Sequence, residues 1–329
     1  MTPARVDVAV VGSVNIDLVA TVARLPLPGE TVPALGFEQF FGGKGSNQAV
    51  AAARLGRRVA FVGLTGEDAE GGAVRAALGA EGVDVSHLGT TAEAGTGRAI
   101  VLVADDAENS IVVVGGANAV LGEEHLTGAA EVLEQAAVVV AQLEVPVETV
   151  LAAARLAGGT VVLNPAPARA LPRELLEAVD VLVVNEVEYE VVLGRPLPTD
   201  LADVPADVAA SGLRGTVVVT LGGRGAVLCD GGEVVAEAPP VVPVVDTTGA
   251  GDTFIGALAD ALSRREPPRD ALRWAVHAAS LSVGALGATT GMPSSEQVAE
   301  SIRTSGPTSA PVPPVPTPAV DGPAPIQEV

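Results

Sequence analysis

The sequence predicts a doubly wound α/β fold: a mostly parallel central sheet with helices on both faces, plus a small antiparallel β-sheet as a lid. Three observations predict it. Short apolar runs rich in β-branched residues recur along the chain, the pattern of strands buried on both faces. Ala-rich segments of helical character stand between them at the spacing of βα units. Two pairs of β-type segments, each built around a polar turn, break that alternation and read as hairpins.

In chain order, Val6–Val11 is the first core strand, interrupted only by Asp7. Leu18–Val22 and Thr31–Phe41 flank a turn containing Pro26, Pro28 and Gly29 and make the first hairpin. Asn47–Leu55 and Ala69–Gly79 are Ala-rich and helical. Gly97–Ala104 and Asn109–Val114 flank the polar stretch Asp105–Glu108 and make the second hairpin. Both hairpins are expected to join in one antiparallel sheet packed over the site. Val138–Val140, Thr160–Leu163, Val181–Val184 and Thr216–Thr220 are further core strands, with Val147–Leu156 and Arg173–Ala178 as helices between them. Phe254–Ser263 is a late helix, and there is no internal repeat. The expected domain covers residues 1–304, with lid hairpins at about 17–41 and 97–114. Residues 305–329 are rich in Pro, Ala and Val; proline removes donors and fixes φ, so this tail is expected to be extended and unpacked.

The chain of 329 residues carries 40 acidic against 19 basic side chains, a net charge of −21. Such a surface repels nucleic acid and anionic membranes, which excludes both as main partners, while a local loop can still bind a small phosphorylated ligand. Cys229 is the single cysteine and has no intramolecular partner, consistent with a reducing compartment. Residues 1–5 lack a basic-then-apolar leader layout, and no uninterrupted apolar stretch reaches the roughly 18 to 20 residues of a membrane span. The expectation is a soluble, cytoplasmic protein.

Ligands of open α/β sheets bind beyond the carboxyl ends of the strands. Four predicted strands end in polar or glycine-rich chemistry: Gly12-Ser13-Val14-Asn15-Ile16-Asp17, Asn164-Pro165-Ala166-Pro167, Asn185-Glu186-Val187-Glu188 and Leu221-Gly222-Gly223-Arg224-Gly225. Four such ends in one chain favour a shared cleft over four ordinary turns. Asp246-Thr247-Thr248-Gly249-Ala250-Gly251-Asp252 places small residues at a helix start, where backbone N–H groups can converge on an anion. An aspartate there would repel a bound phosphate. It makes sense if Asp252 takes a proton from a hydroxyl attacking that phosphate; the alternative is an N-cap aspartate after a glycine turn. Phe41-Gly42-Gly43-Lys44-Gly45-Ser46-Asn47 precedes a helix and lacks the spacing of a P-loop. It holds the only lysine of the chain, and Lys44 and Asn47 can hydrogen-bond hydroxyls, the alternative being a turn capped by Ser46 or Asn47.

Taken together, these residues resemble the ribokinase-like (PfkB) carbohydrate kinase family, from about Val6 to Pro293. The Gly42–Asn47 loop is similar to the family's N-terminal signature and Asp246–Asp252 to its C-terminal signature. Gln142-Leu143-Glu144, Leu163-Asn164-Pro165-Ala166-Pro167-Ala168 and Gly116-Ala117-Asn118 are similar to the ribose-phosphorylating branch more than to the family at large. The resemblance implies transfer of phosphate from ATP to the 5-hydroxyl of D-ribose. It makes Asp252 the base and the amides of Gly249, Ala250 and Gly251 an anion hole. Asn15, Asp17, Gly43, Lys44, Asn47 and Glu144 match sugar-binding positions, with Asp252 beside them. Asn185, Thr220, Leu221, Gly222, Gly223, Arg224 and Gly225, with Gly251 and Val276, match nucleotide-binding positions. Glu188 completes an Asn-x-x-Glu motif tied in the family to Mg²⁺ and phosphate, the Mg²⁺ being held mainly by ATP phosphates and water. Asp246, Thr248, Ser282, Ala285, Gly287 and Gly291 match a monovalent-cation (K⁺) site that works mostly through backbone carbonyls. Two positions depart from the pattern: Gly291 stands where serine is usual, and Val276 where an Asn or His usually faces the adenine, with His277 one place along. A homodimer through the lid sheets is expected, because a two-hairpin sheet has exposed edges and a poor core of its own.

The remaining notable residues have plainer readings. His87, His125 and His277 are scattered without metal-ligand spacing, Trp274 and Tyr189 pack on helices, and Arg57-Arg58 and Arg264-Arg265 are solvated charge pairs. Two competing functions are a kinase for another polyol, such as a nucleoside, fructose or deoxyribose, and a non-catalytic sugar-binding regulator. A nucleoside pocket calls for aromatics, which are 2% here with Phe40 and Phe41 the few near the site, and a mere binder has no use for a base.

Overall fold

Short β-branched strands alternate with Ala-rich helices through the computed structural model, which describes residues 6–104, 109–213 and 215–306. The expected turn at Asp105–Glu108 and the tail beyond 306 lie outside the described residues. The strands are β1 (Val8–Val11), β2 (Asn15–Val22), β3 (Gly36–Gly42), β4 (Val59–Gly66), β5 (Leu88–Thr91), β6 (Gly97–Ala104), β7 (Asn109–Val114), β8 (Val138–Gln142), β9 (Thr160–Asn164), β10 (Val181–Val184), β11 (Thr216–Thr220), β12 (Ala226–Asp230) and β13 (Glu233–Glu237). The helices are α1 (Lys44–Arg54), α2 (Ala69–Ala80), α3 (Ala130–Gln135), α4 (Val147–Leu156), α5 (Arg173–Glu177), α6 (Glu186–Leu193), α7 (Val204–Ser211), α8 (Ala250–Ser263), α9 (Pro268–Ser282) and α10 (Ser295–Ser305).

Nine strands form the central sheet in the order β13-β12-β11-β10-β9-β8-β1-β4-β5. It is parallel except at one edge, where β12 and β13 form a hairpin about Gly231-Gly232, both at positive φ. Alternation along β1 explains the two cores. Val8 and Val10 face the layer of α1, α8 and α9, while Ala9 and Val11 face the layer of α3, α4 and α6. The chain leaves β1 towards β4 and returns to β8 on β1's other side. The crevice between the carboxyl ends of β1 and β8 is therefore a topological switch point, where open sheets of this kind bind ligands.

Sequence reading passed over β4, although Val59–Gly66 is buried throughout, and the β12–β13 hairpin. The lid is a separate four-stranded sheet, β3-β2-β6-β7. It departs from expectation in two respects. Strand β2 starts earlier, at Asn15, and β3 later, at Gly36, than the expected Leu18 and Thr31. In addition, β2 and β6 pair in parallel, Asn15 opposite Gly97 and Val22 opposite Ala104, so the sheet is mixed. Both strands leave the body at the same end and run outward, while the hairpin partners β3 and β7 run back.

Helix α8 crosses α1 almost backbone to backbone. A Cβ on Gly256 would sit 2.5 Å from the Cβ of Ala51 and 2.7 Å from the Gln48 carbonyl. Only glycine permits this approach, which brings the first turns of the two helices together.

Candidate active site

Both signature loops turn out to be helix starts. Helix α1 begins at Lys44, three residues ahead of the expected start, behind Gly43 at φ 97°. Lys44, Asn47 and Gln48 consequently share one face of its first turn. The Ser46 hydroxyl donates back to the carbonyls of Gly42 and Gly43 at 2.6 and 2.9 Å, so neither Ser46 nor Asn47 caps the helix. Helix α8 begins at Ala250 after Gly249, whose left-handed φ of 76° places it as the cap residue.

Asp252 lies in the first turn of α8 and makes no capping bond. Its Oδ2 accepts from Asn47 Nδ2 at 2.9 Å and its Oδ1 from Gln48 Nε2 at 3.0 Å. The N-cap alternative is thereby set aside. Burial pushes the Asp252 pKa above the usual carboxylate value. The Lys44 charge and the two amide donors work the other way, and the Glu144 charge adds to the rise. A carboxyl held closer to neutrality while its plane is fixed suits a general base.

The sugar-side expectations converge on the switch point. Glu144, just past β8, accepts on Oε2 from the Ser13 hydroxyl at 2.5 Å and from the Lys44 amide at 3.1 Å. Asn15 opens β2, and its Oδ1 accepts from Asn118 Nδ2 at 2.8 Å. Asn118 also brackets the Val14 peptide, donating to its carbonyl and accepting from its amide. Asp17 packs against Gly42 and is pushed up to about 6 by burial and by the charges of Glu144 and Asp252. Asn47 Oδ1 is buried and has no partner, which leaves an acceptor aimed at an absent donor. Ser13, Gln48, Asn118 and Gln142 belong to this cluster and were not singled out as site residues from sequence. Ser13, Asn118 and Gln142 stood inside noted segments without a role of their own, and Gln48, alone on a helix, looks the same as a surface glutamine.

On the other side of α8 lies a cavity of about 630 Å³. Thr220, Gly222, Gly223, Arg224, Gly225, Ala250, Gly251 and Val276 all line it, and Phe254 and Val244 add apolar wall. Leu221 differs from the rest of its stretch: its side chain is buried in the core below the sheet. Asn185 and Glu188 stand at the next strand end and form a capping box for α6. Asn185 Oδ1 accepts from the Glu188 amide at 2.8 Å, and the Asn185 amide donates to Glu188 Oε2 at 2.9 Å. Burial raises the Glu188 pKa against the bonds from Asn185 and Asn164 and the Lys44 charge. An ion pair of Arg224 with Glu186 at 2.7 Å ties this cap to the glycine loop.

Asp246 joins the two segments of the expected cation site. Its Oδ1 accepts from the Thr248 amide and hydroxyl at 2.9 and 2.7 Å, and its Oδ2 from the Gly287 amide at 2.8 Å. Burial alone would raise this carboxyl, but those donors hold it below the usual range. The departure at Gly291 acquires a physical reason: a Cβ there would lie 2.0 Å from the Ser282 carbonyl oxygen. Serine does not fit this backbone unless it shifts. Ala285 lies in the same connection between α9 and Gly287, and Arg54 of α1 donates to the Thr289 carbonyl at 2.5 Å while paired with Glu81 at 2.6 Å. The Ala250 amide closes a turn onto the Thr247 carbonyl at 3.2 Å.

Some plainer readings change. Arg57 and Arg264 do not dangle in solvent; both pair with buried Asp260, at 2.8 and 2.9 Å, and Arg264 stacks over Trp274. Tyr189 is fully buried, and His277 is a core histidine whose Nδ1 lies 2.8 Å from the Ser301 hydroxyl. Among the described residues, no three His, Cys, Asp or Glu side chains cluster as a metal site, and no helix is long and apolar enough to cross a membrane.

A parallel sheet with a lid, a carboxylate at a glycine-started helix and a nucleotide-sized cavity behind it define a small-molecule kinase. Residues 5–295 match the model of the pfkB family of carbohydrate kinases, and the chain belongs to that family. Within it, the chain is 38% identical over 304 residues to the ribokinase of Haemophilus influenzae, covering 90% of this chain and 98% of that one. It is 39% identical to the ribokinase of Bacillus subtilis, covering 89% and 98%. The structure of Arabidopsis thaliana ribokinase complexed with ribose and ATP superposes with a TM-score of 0.85 at 36% identity, covering 91% of this chain and 99% of that one.

Proposed function

We propose that this protein transfers the terminal phosphoryl group of ATP to the 5-hydroxyl of D-ribose. The observation that carries the reading is Asp252. It is buried at the start of α8 and held by two amides rather than capping its helix, with polar groups on one side and a nucleotide-sized cavity on the other. The sugar would lie against Asn15, Asp17, Gly43, Lys44, Asn47 and Glu144, where carboxylates accept from vicinal hydroxyls and Asn47 Oδ1 accepts another. ATP would lie against Thr220–Gly225 and Val276. In the transfer Asp252 takes the 5-hydroxyl proton, the oxygen bonds to the γ-phosphorus, and the bond to ADP breaks. The amides of Gly249 and Gly251 face the developing charge, joined by Ala250 when its long turn bond opens.

Among the described residues no group of three His, Cys, Asp or Glu side chains is arranged to hold a metal ion, and Mg²⁺ would rest on nucleotide phosphates and water near Asn185 and Glu188, screening phosphate charge. The two segments tied by Asp246 suit a K⁺ ion held by carbonyls of Ser282, Ala285, Gly287 and Gly291 with Asp246 and Thr248. The lid sheet supports a homodimer. By its register, Phe37 and Val112 share one face and Ile111 and Val113 the other, and all are more than half exposed. A sheet apolar on both faces calls for cover that the monomer lacks. The location remains the cytoplasm on the cysteine argument.

The test is coupled ADP release with Mg·ATP over a panel of pentoses, hexoses and nucleosides. D-ribose is expected to have the highest kcat/KM, with faster turnover in K⁺ than in Na⁺. A better substrate among the others would replace ribose in this reading.

A further inference from the structure

The backbones of Gln48 and Gln142 belong to α1 and to the β8–β9 ladder, and both side chains are completely buried. Gln142 ends β8 and Gln48 lies on α1, and their amides meet end to end: Gln142 Nε2 donates to Gln48 Oε1 at 2.6 Å. Gln48 Nε2 in turn donates to Asp252 Oδ1 at 3.0 Å. A carboxylate only accepts, so Gln48 must offer it the amide nitrogen. That leaves the Gln48 carbonyl for Gln142 and gives the whole chain one direction, towards Asp252. Gln142 Oε1 is left buried without a partner, crowded against Gly12, where a Cβ would lie 2.0 Å away. An apolar pair of the same shape would pack this space without an orphaned carbonyl. Packing alone is therefore a poor reason for the two glutamines.

We propose that Gln142 and Gln48 form a polarised amide relay that fixes the plane of the Asp252 carboxylate, making both positioning residues for phosphoryl transfer. The proposal rests on Asp252 being the base. Asn47 is the other donor to Asp252, but it also lines the sugar side, so its amide is open to competition from substrate. Gln48 has no exposed atom and holds Oδ1 whatever the sugar does. The charged groups facing Asp252 are Lys44 of α1, Glu144 after β8, Asp17 of β2 and Glu188 of α6. None of these changes when Gln48 is replaced, so a shift in the titration of Asp252 reports the lost amide donor.

The test compares Gln48→Leu, Gln142→Leu, the double variant and Asp252→Asn with the full-length enzyme, using ribose and Mg·ATP. Gln48→Leu is expected to lower kcat about 10- to 100-fold through misorientation of the base. Ribose KM should stay within about twofold, and the acid limb of kcat/KM should move up by about one pH unit, because a lost donor raises a carboxyl pKa. Gln142→Leu should move both in the same direction by less. The double variant should match Gln48→Leu alone, because Gln142 acts only through Gln48. Additive losses, or an acid limb that stays in place, overturn the relay. If Gln48→Leu does not fold, Gln142→Met leaves α1 untouched and must still raise the limb, by about half a unit; an unmoved limb overturns the proposal there too. Asp252→Asn separates the two levels: retained turnover removes the base itself, whereas its loss with an unmoved limb in the glutamine variants removes only the relay.

Discussion

The two sides of helix α8 are built from different materials. Towards β1, β2 and β8 the walls are polar side chains locked to one another: Ser13 on Glu144, Asn118 on Asn15, Gln142 on Gln48, and Gln48 and Asn47 on Asp252. Towards β11, β12 and α9 the walls are glycines, prolines and apolar side chains such as Val276, Phe254 and Val244, with Thr220, Arg224, Thr247 and Ser280 as the polar side chains among them. A sugar shows an outline of hydroxyls that fixed donors and acceptors can read. A nucleotide shows a flat apolar base and phosphates, which a smooth wall and peptide N–H groups accommodate. Single side chains should therefore matter greatly on the first side and little on the second, and in the proposed reaction the reacting groups would meet where the two sides join.

The sharpest way to test that difference is at the join. Asp252→Asn is expected to lower kcat about a thousandfold while ribose affinity by calorimetry stays within about threefold, since the amide keeps the shape and loses the base. On the polar side, Glu144→Ala should raise ribose KM about a hundredfold with ATP KM unchanged, a charged hydrogen bond being lost in a buried setting. The apolar side should forgive: Val276→Ala is expected to raise ATP KM only about threefold and leave ribose KM alone. A hundredfold rise there would break the comparison.

The smallest effect concerns stability. Asp17 is pushed up to about 6 from its ordinary 3.8, first by burial and then by Glu144 and Asp252. Between those values the folded chain holds a proton that the unfolded chain has released, so this group costs stability as pH rises through the window, and the cost is complete above pH 6. Asp17→Asn should thus raise Tm by about 2 °C at pH 8 and change little at pH 4, while weakening ribose binding. Calorimetric scans at the two pH values check the sign.

Much of the site was legible residue by residue. Asp252 stood out because an acid after three small residues contradicts simple phosphate binding, and Lys44 because it is the sole lysine. The strand-end rule pointed to Asn185, Glu188 and the Leu221–Gly225 stretch before their neighbours were known, while Glu144 came with the family resemblance. Gln48 carried no such mark, because a glutamine on a helix is unremarkable until the elements cross, and Gln142 came only as part of the Gln142-Leu143-Glu144 segment, without a role of its own. Leu221 sat inside a glycine-rich run, and only the alternation of β11 shows that it faces the core. The strand β4 went unnoticed although its run of apolar residues is continuous, and the lid's parallel centre could not be read because register between β2 and β6 spans the whole β3-to-β5 segment.

The sequence by itself determined the alternating α/β layers, the lid hairpins and the chemistry at the strand ends, because hydrophobic period, turn residues and side-chain type are local properties. The tertiary structure alone decided which helix starts meet. It made Asp252 a held carboxylate instead of a cap, gave Gln48 its partners, and left Gly291 no room for a side chain. Those outcomes depend on the α1–α8 crossing at Gly256 and on β1 lying between β4 and β8, distances set by packing of remote segments that no local pattern encodes.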